Sequence, residues 1–225
     1  MQSVLHEKII AVQGKIVAAC KKAGRNFDEV KILAATKTVE SARINTLKKV
    51  GINIIAENRV QELLSKYDAV KGFEWHFIGA LQTNKVKYII DKVSIIHSCD
   101  RVSLVDEIQK QAQKIDKIQE VLIQINAGDE MAKSGVEFSG VDELYNYITT
   151  KPNVKVVGFM PVMPMYASES LYEKSNEVFK IYKTKDSNVK MLSMGMSGDF
   201  ELAIKHGATI VRLGSILLGN RACLD

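Results

Sequence analysis

From Val30 onward, short apolar or β-branched runs alternate with longer stretches whose apolar residues recur at helical spacing. The runs read as buried strands and the stretches between them as amphipathic helices. Eight runs stand out: Lys31–Thr36, Asn53–Glu57, Trp75–Ile78, Val93–His97, Glu120–Asn126, Lys155–Met160, Lys190–Met194 and Ile210–Leu213. Regular alternation of this kind predicts a parallel sheet joined by crossover helices. Eight βα steps in about 195 residues favour a closed (β/α)8 TIM barrel over an open doubly wound sheet.

Residues 1–24 precede the first run. There Val4, Leu5, Ile9, Val12, Ile16 and Val17 fall at helical spacing, which predicts an extra N-terminal helix packed on the barrel and ended by Gly24. After the eighth run, Ser215 to Asp225 leave room for one short helix. No long linker or low-complexity tract interrupts the pattern, so a single domain over residues 1–225 is expected.

Composition narrows the function classes. With 225 residues, 46% of them hydrophobic, the chain can bury one large core. Its net charge of +5 comes from 25 Lys against 6 Arg, interleaved with acids along the chain. That spacing describes solvated helix faces, whereas nucleic-acid surfaces cluster Arg and expose aromatics, which are only 7% here. No nucleic-acid partner is expected, and the mild positive balance favours an anionic small ligand such as a phosphate ester. No run approaches the roughly 18 apolar residues of a membrane helix, and the N-terminus lacks a signal-peptide core. Cys20, Cys99 and Cys223 are too far apart for a disulfide framework or a metal spacing. A reduced, cytoplasmic setting without a membrane partner is the expectation.

In such a barrel the functional face lies at the C-terminal ends of the strands. Those ends supply Lys37, Glu57 with Asn58, Gly79 with Gln82, His97 with Ser98, Asn126, Met160, Ser193 to Ser197, and Arg212 with Gly214. Lys37 follows the apolar run Val30 to Thr36. An amine in an apolar wall resists protonation and can attack an aldehyde, while a lysine that merely ends a strand in water is the competing reading. The seventh and eighth ends are the sharpest local signal. Ser193-Met194-Gly195-Met196-Ser197-Gly198-Asp199 enters a helix expected over Phe200–His206, and Arg212-Leu213-Gly214-Ser215 opens the last helix. Two adjacent helix N-termini with the Ser197 and Ser215 hydroxyls offer a phosphate cradle, against simple N-capping and a tight glycine turn.

His76 is flanked by core residues, a setting in which histidine is more often a packing residue than a base. The run Met160-Pro161-Val162-Met163-Pro164-Met165 reads as loop packing, since no Cys or His is interleaved to make a soft-metal site. His6, His76, His97 and His206 show no metal spacing, and no Ser-His-Asp or Cys-His arrangement fits the strand order. No metal is expected.

Several segments match a known pattern in order: Leu33-Ala34-Ala35-Thr36-Lys37-Thr38, Glu57-Asn58-Arg59-Val60-Gln61-Glu62, Trp75-His76-Phe77-Ile78-Gly79-Ala80-Leu81-Gln82-Thr83-Asn84-Lys85, Ile123-Gln124-Ile125-Asn126, Lys133-Ser134-Gly135, Gly158-Phe159-Met160, Ser193 to Asp199, and Arg212 to Ser215. Through them, over essentially its full length, the chain resembles the pyridoxal phosphate homeostasis proteins, single-domain relatives of the barrel half of bacterial alanine racemase and eukaryotic ornithine decarboxylase. The resemblance implies a fold-type III barrel that binds pyridoxal 5′-phosphate (PLP), with Lys37 as the aldimine lysine. It further implies that Ser197, Gly214 and Ser215 contact the phosphate, that Arg212 meets the pyridine nitrogen, and that Asn58 and His76 lie in segments lining the ring pocket. An arginine there donates a hydrogen bond and cannot accept one, so the ring nitrogen stays unprotonated and the electron sink is weak. Three departures from the family pattern are Ala56 before Glu-Asn, Ala80 after Ile-Gly, and Pro161 after Met160.

Family members are linked to cofactor supply and to amino-acid and keto-acid balance, not to turnover of an amino acid. In the racemase relatives a second proton donor and the dimer contact come from a domain this sequence does not show after its eighth run. A monomeric PLP carrier without enzyme activity is therefore expected, with PLP-dependent apoenzymes as recipients. A racemase or decarboxylase recruiting Tyr166 or Lys133 as a second acid–base group is the alternative. Lys133 has a second candidate role, as a further aldehyde or phosphate site, against a plain surface loop. A cofactor-free scaffold or RNA-associated barrel remains the third class.

Overall fold

The computed structural model describes residues 2–128 and 134–219. Helix α1 spans Gln2–Lys22 and buries Ile9, Val12, Ile16 and Cys20 along one face, whereas Val17 is exposed; the side chains of Val4 and Leu5 lie outside the description. The chain leaves the helix through Gly24 at φ +66°, where the Gly24 N–H meets the Lys21 carbonyl at 3.2 Å and the Arg25 N–H meets the Cys20 carbonyl at 2.9 Å. Only a left-handed residue closes both bonds, which is why glycine stands there. The turn delivers Arg25 to the carbonyls of Ile204 and Ala208, both at 2.8 Å. α1 thereby packs on α7 (Phe200–Lys205) and α8 (Ser215–Leu218), as an extra helix beside the barrel.

Eight parallel strands follow: β1 Lys31–Ala35, β2 Ile54–Glu57, β3 Glu74–Phe77, β4 Ile95–Cys99, β5 Gln119–Asn126, β6 Val154–Val162, β7 Met191–Leu192 and β8 Ile210–Leu213. Their order is β7-β6-β5-β4-β3-β2-β1-β8. The ring closes between β7 and β8 through a Ser193–Ile210 bridge, with the Met194 N–H on the Ile210 carbonyl at 3.0 Å and the Arg212 N–H on that of Gly195 at 2.9 Å. The crossovers carry α2 (Ser41–Asn45), α3 (Val60–Tyr67), α4 (Val102–Gln113), α5 (Val141–Thr149) and α6 (Glu169–Lys185). Between β3 and β4 the expected helix is replaced by a 3₁₀ segment, Thr83–Tyr88. Among the described residues no helix is long and apolar enough to cross a membrane.

Strand alternation divides the core in two. Ala34, Ile55, Phe77, Ile96, Ile123, Phe159 and Val211 face the helices in the large outer core. Leu33, Ile54, Ala56 and Ile210 fill one part of the barrel interior, and Ile95, Leu122, Val157 and Met160 another. Three boundaries differ from expectation in ways that matter. β4 starts and ends two residues later than the run Val93–His97, so His97 is an interior residue below the strand end. β7 shrinks to Met191–Leu192 and leaves Ser193 in the bridge. β6 extends to Val162, so Met160 packs inside the barrel and the methionine run begins as strand, not loop. Pro161 is tolerated there because strand residues alternate sides: the Phe159 carbonyl accepts from Ser193 of the β7 segment, and Pro161, two on, faces the same side past the end of β7.

Candidate functional site

Lys37 stands in the turn just past β1 and is exposed, so the apolar enclosure suggested by the preceding run does not extend to its side chain. What is buried is the frame around it. Thr36 is fully buried, and its hydroxyl donates to Glu57 Oε1 at 2.7 Å. Lys66 of α3 reaches in from behind, donating to Glu57 Oε1 at 2.7 Å, to the Thr36 carbonyl at 2.9 Å and to Glu62 Oε2 at 3.3 Å. Glu62 Oε2 also accepts the Thr38 N–H at 2.8 Å. Thr38 adopts φ +62°, a left-handed conformation rare for a β-branched residue. Strained backbone of this kind persists only where its surroundings impose it, and here Glu62 and Lys66 hold both flanks of Lys37. Burial pushes the Glu57 carboxyl up, and the bonds from Lys66 and Thr36 pull against that. Glu62, although partly buried, is held below the usual carboxylate range by the Thr38 N–H and Lys66.

Arg212 sits on β8 beside β1, with Leu33 as its register partner, and is 8% exposed. Its Nη1 donates to the Ser193 carbonyl at 2.5 Å and to the Ser193 hydroxyl at 3.3 Å. From Ser193 a line of polar groups continues through the barrel. Ser193 Oγ lies 3.1 Å from His97 Nδ1, His97 Nε2 lies 2.8 Å from His76 Nδ1, and His76 Nε2 lies 2.9 Å from Glu74 Oε1. His76, His97 and Ser193 are fully buried, whereas the Glu74 side chain is 43% exposed at the start of β3. Burial, helped by the nearby Arg212 charge, holds His97 well below the ordinary histidine range. Burial also pulls Arg212 down to about 10, against the opposing charge of Asp199. Both ring nitrogens of His76 are thus committed to protein partners.

The loop after β7 is shaped by Gly195 at φ +93°, where a Cβ would lie 2.6 Å from Ala203 Cβ and 3.0 Å from Phe200 Cα. No side chain fits, so α7 packs directly on the loop. Asp199 ties the turn by accepting the Met196 N–H at 2.6 Å and the Tyr172 hydroxyl at 2.5 Å. Ser197 of this loop and Ser215 at the start of α8 meet with their hydroxyl oxygens 3.4 Å apart. Ser215 is exposed, and Ser197 and Gly214 are half-buried. The two loops thus meet at their hydroxyls.

Asn58 is half-buried at the end of β2, and its carbonyl lies against Gly79, where a Cβ would come within 2.0 Å. The second and third strand ends therefore touch backbone to backbone. Tyr166 is 92% exposed in the loop after β6. Lys133 lies outside the described residues. The structure also gathers Glu169, Glu173 and His206, whose ligand atoms fall within 4.8 Å of one another. Lys205 and His206 already share Glu169 Oε1 there, at 2.5 and 2.6 Å.

A protein-family model described as the N-terminal domain of alanine racemase matches residues 14–222. The chain is 46% identical to the pyridoxal phosphate homeostasis protein of Aquifex aeolicus, covering 96% of this chain and 97% of that protein. The chain belongs to this family. The Escherichia coli (strain K12) protein of the same name is 34% identical, with 98% of both chains covered. Among solved structures, an unknown protein from Bifidobacterium adolescentis superposes with a TM-score of 0.89 at 27% identity, covering 96% of this chain and 95% of that one. PipY of Synechococcus elongatus, solved with PLP bound, gives 0.80 at 22% identity and covers 96% of this chain and all of its own, a likeness of fold. Alanine racemase of Clostridium difficile gives 0.72 at 15% identity and covers 95% of this chain but 57% of its own.

Within this family frame the departures are structurally benign. Ala56 is ordinary strand backbone packed against Leu33, Ile54 and Ile210, and Ala80 is exposed. The residues that sequence reasoning missed are Glu62 and Lys66, and Ser193, named there only as part of the seventh strand end, was given no role of its own. Glu62 and Lys66 carried a signal, an acid and a base one helical turn apart just after a strand-end acid. The contact of Ser193 with Arg212 and His97 carried none, because it depends on closure of β7 onto β8.

Proposed function

We propose that this chain binds PLP at the C-terminal mouth of the barrel, with Lys37 as its covalent anchor and Arg212 as the partner of its ring nitrogen. The observation that carries the reading is Arg212. It is a buried guanidinium with no ion pair among the described residues, tied by one nitrogen to Ser193 and keeping its remaining N–H groups free of hydrogen bonds among them. Burying such a donor set without a carboxylate is costly, and a ring nitrogen acceptor suits it. Ser197, Gly214 and Ser215 take the phosphate. Asn58 bounds the site between the second and third strand ends, and His76 acts from below through His97.

When bound, the cofactor supplies an aldehyde that condenses reversibly with amines. Lys37, exposed on a braced turn, holds that group where water and other amines reach it. Arg212, which donates only, leaves the ring nitrogen without a proton. These features suit keeping and releasing a cofactor, in line with the name of the relatives, and PLP-dependent apoenzymes are the recipients proposed.

Borohydride reduction of PLP-loaded protein followed by peptide mass mapping tests the anchor. Label on the Lys37 peptide is expected; label confined to other lysines refutes it. Incubating loaded protein with amino acids in deuterated water separates carrier from racemase. Deuterium entering at Cα at enzymatic rates would establish a catalyst.

A further inference from the structure

The polar line through the barrel has one direction when both imidazoles are neutral, and its carboxylate end fixes it. Arginine can only donate and a carboxylate can only accept. Arg212 Nη1 therefore gives a hydrogen to Ser193 Oγ at 3.3 Å, and the Ser193 hydroxyl sends its own to His97 Nδ1 at 3.1 Å. His97 then carries its proton on Nε2 and donates to His76 Nδ1 at 2.8 Å, and His76 donates from Nε2 to Glu74 Oε1 at 2.9 Å. Glu74 decides it, since the Ser193 oxygen can by itself accept from both Arg212 and His97, whereas neutral imidazoles read from the carboxylate leave this assignment. Both imidazoles are neutral in it, each ring nitrogen is used once, and no donor faces a donor. A proton added to His97 would set a second cation beside Arg212 and strand the Ser193 hydroxyl without an acceptor.

We infer that Ser193 and His97 are positioning residues for Arg212, and that Glu74, at the base of the barrel, sets the polarity of the chain that holds them. The inference rests on the role proposed for Arg212. Two bonds from one nitrogen to the Ser193 carbonyl and hydroxyl fix the guanidinium plane. They leave the other N–H groups in one orientation for the ring. Ser193 is itself held by His97, since a hydroxyl without that acceptor is free to rotate. The two histidines thus act through Arg212 without touching the ligand.

Ser193→Ala removes the oxygen with little change in volume. Titrated with PLP, this variant should need about tenfold more cofactor for half-saturation. Its visible absorbance band should move in the direction seen for Arg212→Gln. Glu74→Gln, whose amide can donate as well as accept, should shift the band less than Glu74→Leu, which should shift it as Ser193→Ala does. In unloaded protein, nitrogen NMR should find the His97 proton on Nε2. Ser193→Ala with unchanged binding and band, while Arg212→Gln alters both, overturns the positioning role alone. Detection of the His97 proton on Nδ1 overturns it as well. If Arg212→Gln changes neither reading, the ring-partner role falls and the positioning role falls with it.

Discussion

Lys66→Met should be among the most damaging single changes outside the apolar core, and its cost should depend on pH. Glu57 is 0% exposed, its only cationic partner at hydrogen-bond distance among the described residues is Lys66, and the Lys66 side chain is 10% exposed. Removing the amine leaves the carboxylate buried beside the Thr36 hydroxyl, with Glu57 Oε2 already lacking a partner among the described residues. Breaking a buried pair by deleting one member costs roughly 3–5 kcal/mol. A second route gives a ceiling. Glu57 can take up a proton, and for a carboxyl with an ordinary pKa of about 4.3 this costs about 3.7 kcal/mol at about pH 7, at 1.36 kcal/mol per pH unit. The two figures together predict a loss of about 3–4 kcal/mol near neutrality. The folded variant binds a proton that the unfolded chain does not hold above about pH 4.3, so its stability rises as pH falls and the loss shrinks to about 1 kcal/mol at about pH 5. Urea unfolding of both proteins at the two pH values measures the difference. Adding Glu57→Gln to the variant should restore most of the loss, since the amide oxygen still accepts from Thr36. A loss below about 1 kcal/mol at neutrality, or one independent of pH, would refute the reasoning.

Three further outcomes are expected. Gly195→Ala combines a positive φ with a Cβ 2.6 Å from Ala203 Cβ; it should cost at least about 2 kcal/mol in urea unfolding, and a cost near zero would show that the loop can move off α7. Thr38→Asn places a residue tolerant of φ +62° at the turn after Lys37 and should stabilise by about 1 kcal/mol while keeping the Glu62 contact to its N–H; destabilisation would mean the Thr38 hydroxyl matters more than the strain. Burial keeps His97 neutral in the folded chain, whereas the unfolded chain gains a proton below about pH 6.5, so stability attributable to this residue should fall by about 2 kcal/mol between about pH 6.5 and about pH 5. The slope of stability against pH should be shallower by about one proton in His97→Gln over that interval, and equal slopes would show that His97 titrates freely.

The barrel was legible because each strand of a parallel sheet is buried on both sides and so reads as an apolar run. β8 came out with the boundaries its run suggested, and β1, β2 and β3 within a residue. Where the reading slipped, pairing decided what composition could not. Val93 is buried but precedes β4, and Cys99 joins β4 through its partner Ile123. Lys37 was legible as a strand-end amine, and its exposure agrees with the competing solvated reading; the left-handed step at Thr38 was not legible. The meeting of the loops proposed to hold phosphate, at Ser197 and Ser215, was foreshadowed by glycine and serine spacing. The line from Glu74 to Arg212 was not, since its members are separated by up to 96 residues between neighbours and meet only when the interior faces of β3, β4, β7 and β8 converge. Polar residues at alternating inward positions of apolar strands were the signal available, and His76 and His97 carry it.

Burial divides the proposed site along its length, and the division bears on whether it holds a cofactor or turns one over. Arg212 and the groups behind it are nearly sealed from water, whereas Lys37 and Ser215 are exposed and Ser197 and Gly214 half-buried. A ligand reaching from Arg212 to this rim is gripped rigidly at its ring and left open at its aldehyde. Proton transfer at a substrate carbon demands the opposite arrangement, because stray water protonates the reacting centre and weakens the electrostatics that stabilise it. Exchange of an amine at the aldehyde demands access. The brace on Thr36 and Thr38 then serves a purpose that burial of Lys37 would defeat, since it fixes where the amine starts without covering it. Tightening the grip at Arg212 should slow loss of the cofactor while leaving exchange at Lys37 fast. Covering Lys37 should slow exchange even if the grip is unchanged.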